Sequence, residues 1–195
     1  MKPGAWRDEA VGVGLASCTH ILAAWYKDNK MTPREFFPYM PDEVFEMWLA
    51  PFIQQIGWSF TKITDDLSGT RWNTLLRDIP LDVWNQLIWS RIDVEFTKIE
   101  FAVFNKLAIE DIIGHCVHGR STATANLPNT KERFRACAEF IRVHKTIPKP
   151  IAVMSRGKKI EVIDGNHRIA ALLHVGLPKG YRLPIWMAHP KISLT

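Results

Sequence analysis

Cysteine is scarce in this chain: three in 195 residues, at Cys18, Cys116 and Cys137, far apart. That spacing excludes a disulfide framework and points to a reducing compartment. No apolar run approaches the length of a membrane span, and Asp8 and Glu9 follow Trp6 too closely for a secretory pattern. The expected location is the cytoplasm, with no membrane partner. Internal repeats, low-complexity tracts and long polar linkers are absent, so the parts of the chain are expected to pack together. There is no Gly-x-Ser-x-Gly elbow. Metal ligands are thin as well. His115-Cys116-x-His118 gathers three potential ligands, but no second pair at zinc spacing follows, and Cys18-x-His20 stands apart.

What is present is a substantial core, with 47% hydrophobic residues, and an uneven charge. Residues 1–100 hold 10 Lys+Arg against 14 Asp+Glu, whereas residues 101–195 hold 15 against 6. A basic second half raises the local concentration of anionic ligands and suits nucleotides or nucleic acid. Its bland counterpart is a solvated basic face that aids solubility.

The most informative stretch runs from Val162 to Ala171 (Val-Ile-Asp-Gly-Asn-His-Arg-Ile-Ala-Ala). An apolar strand stops at Asp164-Gly165, and Ile169, Leu172 and Leu173 then follow helical spacing up to Gly176. Asp164 or Asn166 can cap that helix, and Gly165 permits a close backbone approach. A helix N-terminus presents unpaired N–H groups that attract anions, phosphate above all. The structural alternative is ordinary turn and cap chemistry, with Arg168 a surface charge. Around this turn, 151–154 reads as a strand, 155–158 as a turn and 159–163 as its antiparallel partner. Residues 183–187 read as a last strand, with Pro184 favouring an edge. Phe134, Cys137, Ala138 and Ile141 mark one face of a helix. Asn129 and Glu132 have capping-box spacing at its start.

The first part of the chain reads as mainly helical and tryptophan-rich. Thr32-Pro33-Arg34-Glu35 has the capping-box pattern. A second helix is expected from Asp42 toward Phe60, kinked at Pro51. Alternation at Ile92, Val94 and Phe96 begins the sheet. The expected class is α+β, with a helical region over 1–91 and a small mixed sheet with helices over 92–195. Trp48, Trp58, Trp72, Trp84 and Trp89 sit among aliphatic residues and read mostly as core. Stacking on bases is the sharper alternative, best placed at Arg71-Trp72 and Trp89-Ser90-Arg91. An exposed aromatic patch could instead serve self-association or a protein partner.

Lys149 to Val153, Ile160 to Ala171 and Leu183 to Ile185 resemble the ParB/sulfiredoxin superfamily, over roughly the last half of the chain. The Asp164-Gly165-x-x-Arg168 turn is most similar to that of its free serine kinases. Asn166 stands where sulfiredoxin has its reactive cysteine, so reductase chemistry is not implied. A second Glu-Asn-x-Gln-Arg type motif and a following helix-turn-helix are lacking, which argues against a partition protein. The resemblance implies binding of ATP or another nucleotide, with Mg²⁺, through Gly165, Asn166, His167 and Arg168.

The polar loop 118–124 adds Arg120, Ser121 and Thr122 as candidate phosphate contacts. Two functions are expected as alternatives. One is a Mg²⁺-dependent phosphotransferase or nucleotide hydrolase acting on a small metabolite or nucleic acid. Asp164, His167 and Arg168 would be catalytic, and Asp164, Glu100, Glu110 or Asp111 the base or metal-positioning acid. The other is a non-catalytic nucleotide- or DNA-binding regulatory protein. A ParB-like nuclease lies between them.

Overall fold

A computed structural model describes residues 32–56, 76–77, 79, 81–123, 127 and 129–190. Expectations for Trp58, Phe60, Arg71, Trp72 and Cys18 lie outside the described residues.

Helix α1 (Pro33–Phe36) starts on the expected capping box, in which Thr32 and Glu35 bond reciprocally. The second helix is continuous from Asp42 to Ile56 but is not uniform. Segment α2 (Asp42–Val44) leads into a π turn (Phe45–Leu49) and then α3 (Ala50–Ile56). Pro51 explains this form. It has no N–H to donate and would clash with the carbonyl of Met47 in a regular turn, and the wider π turn relieves both. The Ala50 N–H accordingly reaches back to the Phe45 carbonyl. Helix α4 (Leu81–Trp84) precedes the first strand.

Strand β1 (Ile88–Glu95) begins four residues ahead of the expected alternation, so a boundary between 91 and 92 would cut through it. Beyond a short 3-10 turn (Phe96–Lys98) come α5 (Val103–Cys116) and α6 (Thr130–His144). The hairpin β2 (Ile151–Arg156) and β3 (Lys159–Asp164) follows, then α7 (Asn166–Val175) and β4 (Arg182–His189). The sheet is four-stranded and mixed, in the order β1-β4-β2-β3, with β2 and β4 parallel and the other pairs antiparallel. The protein is therefore of the α+β class.

Two expectations are corrected. Pro184 lies in central strand β4, not at an edge. The pairing of β4 with β2 begins only at Ile185 opposite Ile151, so at Pro184 the strand has no β2 neighbour that needs its missing N–H. Opposite Pro184 on β1, the Asp93 carbonyl accepts from the Arg182 guanidinium at 2.5 Å. The α6 capping box also does not form. Asn129 takes a left-handed conformation (φ 58°), and its side chain makes no cap bond.

Both faces of the sheet are covered. Ile151, Val153, Val162, Leu183 and Ile185 point into a core built with α5, α6 and α7. Ala152, Met154, Ile163 and Ala188 point the other way, into a core with Phe37, Val44, Trp48, Leu49 and Trp84. This strict alternation explains the unbroken apolar run of β2, which has no solvent face. Trp48 and Trp84 are fully buried with ring centroids 5.2 Å apart, and Trp84 Nε1 donates to the Leu76 carbonyl. Half-buried Trp89 packs on the same core, and Trp186 donates to Glu43. The described tryptophans thus serve packing. The large exposed apolar side chains include Val103, Phe104 and Leu107 on α5. Among the described residues no helix is long and apolar enough to cross a membrane.

Candidate functional site

The corner between β3 and α7 is built around Gly165. Its φ of +120° is one that side chains rarely adopt, and a Cβ there would stand 2.5 Å from Ile151 Cγ2. Glycine at this position lets the start of α7 lie directly on the first residue of β2.

Asp164 and Arg168 face each other across the first turn of α7, in a charge-assisted hydrogen bond. Arg168 is only 8% exposed. Its guanidinium also donates to the carbonyls of Lys149 (3.2 Å) and Pro150 (2.6 Å) and touches Met47 Sδ at 2.9 Å. One side chain therefore ties together α7, the end of β3, the approach to β2 and the helical N-terminal region. The pair expected to act on phosphate is engaged within the protein. The carboxylate of Asp164 and the carbonyls of Lys149 and Pro150 thus occupy Nη1 and Nη2 of a guanidinium held inside the fold.

Neither expected cap forms. The N-cap residue is Gly165, and no side chain bonds to the end of the helix. Asp164 is engaged by Arg168, and Asn166 Oδ1 accepts from Asn105 at 3.4 Å. Hence the first N–H groups of α7 have no intrahelical acceptor and no side-chain cap. Beside them lies His167, whose Nε2 is buried without a hydrogen-bond partner. Burial, with the positive charges of Arg133 and Arg168, pushes the imidazole down to about 4, so it is neutral near pH 7. Arg133, on α6, is exposed and makes no ion pair among the described residues.

Asn105 and Arg133 were not singled out as site residues by the sequence. Buried Asn105 bonds Val162 twice, accepting from its N–H and donating to its carbonyl, both at 3.0 Å. It extends the β3 edge as a strand would and holds α5 against the corner. Arg133 could have been suspected only from the cation-rich composition of α6. Cys137 lies near Arg133, Arg168 and Asp164, but burial pushes its thiol up, away from the reactive thiolate.

The polar loop does not join this corner. Arg120 and Thr122 line a separate cleft of about 550 Å³ along α5, with Glu110, Asp111, Phe104 and Leu107, and none of residues 164–168 borders it. The loop is folded onto the end of α5, where Arg120 N–H donates to the Gly114 carbonyl (2.9 Å) and His115 Nδ1 bonds the Arg120 carbonyl (3.2 Å). Ser121 is exposed and does not line the cleft. Glu100 pairs with Lys159 at 3.7 Å. The residues expected to form one pocket thus divide between two places, because α5 stands between them.

The groups without a bonded partner at this corner, the first N–H groups of α7 and the Arg133 guanidinium, are hydrogen-bond donors, the type that a nucleotide's phosphate oxygens would need. Mg²⁺ does not fit it, since the carboxylate it would need, Asp164, is committed to Arg168. Among the described residues no three His, Cys, Asp or Glu side chains converge as metal ligands. No family model, no curated protein and no solved structure matches the chain.

Proposed function

We propose that the protein binds the phosphate groups of a nucleotide or nucleic acid at the N-terminus of α7, without phosphoryl transfer at Asp164. The observation that carries this reading is the uncapped helix start beside exposed Arg133 and the unpartnered Nε2 of neutral His167. An oxyanion accepts from the backbone N–H groups and is charge-balanced by Arg133 and the helix dipole. His167 Nε2 contributes a further donor when the proton sits there. The similarity of the Asp164–Arg168 turn to phosphate-holding turns of the ParB/sulfiredoxin superfamily is a second support. Arg168 acts here as the clamp that shapes the turn. The acid nearest that helix start, Asp164, is ion-paired with Arg168, which supports binding over transfer. Cys116 and Cys137 are free thiols, which goes with a cytoplasmic setting.

The test is titration of ATP, ADP and orthophosphate into the isotope-labelled protein, followed by the backbone amide signals of 166–168. The expected result is saturable shifts at those amides, weakened at least fivefold by Arg133→Ala. Millimolar ATP that leaves them unmoved overturns the proposal. Phosphate release or transfer in the presence of Mg²⁺ replaces it with the phosphotransferase reading.

A further inference from the structure

Helix α6 carries four Lys+Arg (Lys131, Arg133, Arg135 and Arg142) against two Glu, with Lys145 as its C-cap. They are not spread evenly. Helical phase places Lys131, Arg135 and Arg142 on one stripe, away from Arg133 and the α7 corner. Lys131 and Arg135 are exposed and make no ion pair among the described residues. Arg142 meets Glu139 at 3.3 Å in an exposed pair, which contributes little and is readily exchanged. The stripe borders a cleft of about 370 Å³ between α6, the end of α5 at Cys116 and Val117, and His174 of α7.

We infer that this cleft and stripe form a second anion site, distinct from the α7 corner, that takes the phosphodiester backbone of a nucleic-acid strand. The length fits. Lys131 to Arg142 covers about 16 Å of helix axis, enough for several consecutive phosphates at about 3.4 Å per stacked nucleotide. The chemistry fits as well, because a guanidinium fork matches two phosphate oxygens. An acidic protein is the weaker match. A protein interface needs an apolar centre, and Val117 is the exposed large apolar side chain bordering the cleft. With no exposed Phe, Tyr or Trp lining the cleft, binding reads the backbone through the arginines.

The experiment is fluorescence anisotropy of a short labelled single-stranded oligonucleotide with the full chain over a salt series. The expected result is a linear fall of log affinity with log salt. The exposed double variant Arg135→Ala/Arg142→Ala should bind at least tenfold more weakly, with its slope reduced by about 1.4 for two lost phosphate contacts. Circular dichroism confirms that this variant is folded. Unchanged affinity and slope in the variant overturn the inference, as does polyglutamate competing as well as the oligonucleotide at equal charge. Competition by ATP at stoichiometric occupancy of the α7 amides overturns the claim of two sites. If ATP fails to bind while the variant still loses the oligonucleotide, the corner reading falls and this one stands.

Discussion

Arg168 neutralises Asp164 one helical turn before it, inside the molecule, while also bonding the two carbonyls that lead into β2. Removing one partner leaves an uncompensated buried charge. Arg168→Met should therefore lower stability by about 3–5 kcal/mol. Asp164→Asn/Arg168→Met should cost less than the two single changes added together. Urea denaturation of the four proteins measures both, and an unshifted midpoint for Arg168→Met would refute the clamp.

Gly165→Ala should lower stability by about 2–4 kcal/mol, because the new methyl meets Ile151 and the backbone angle disfavours any side chain. The same denaturation curves report it. The α7 amide signals should shift most in this variant, since the start of the helix must move away from β2.

Asn105 replaces a missing strand at the β3 edge. Asn105→Leu keeps the volume but leaves the Val162 N–H without its acceptor, while the Val162 carbonyl keeps only the Arg77 guanidinium at 3.2 Å. The expected loss is about 1–3 kcal/mol for one buried N–H left without an acceptor. Hydrogen exchange of the Val162 amide is the local check, and protection equal to that of the parent protein would contradict the assignment.

His167 makes stability depend on pH. Its folded-state value lies at about 4, below the ordinary 6.5, because of burial and then the neighbouring arginines. As pH falls, the unfolded chain takes the proton first. The contribution is therefore complete above about pH 6.5 and declines toward pH 4, by up to about 1.4 kcal/mol per unit. His167→Gln should flatten the profile in that window. Phosphate bound at the corner should raise the imidazole value, which the ring proton shifts report directly.

Much of the architecture was legible in the order of residues. Ile151 to Met154 and Lys159 to Ile163 are strands, and α7 starts directly after Gly165; the turn between the strands is Gly157-Lys158 alone, since Ser155 and Arg156, expected in it, extend β2. The capping box at Thr32 formed, and Trp48 and Trp84 are core. These features rest on local periods of two and 3.6, and on turn chemistry, which neighbours in sequence express. The departures at Pro184 and Asn129 have one cause. Each depended on what stands beside the residue in space: a partner strand that starts one position later, and a left-handed link into α6.

The sequence by itself determined that an acid, a glycine and an arginine would meet at a helix start in a basic half of the chain. Only the tertiary structure decided what they do there. Packing of Met47 and of the β2 approach around Arg168 buried its guanidinium, and a buried charge must be paired, so Asp164 became its counterion. What remains there has little sequence signature: the first N–H groups of α7, which no side chain caps, and Arg133, exposed and without an ion pair among the described residues.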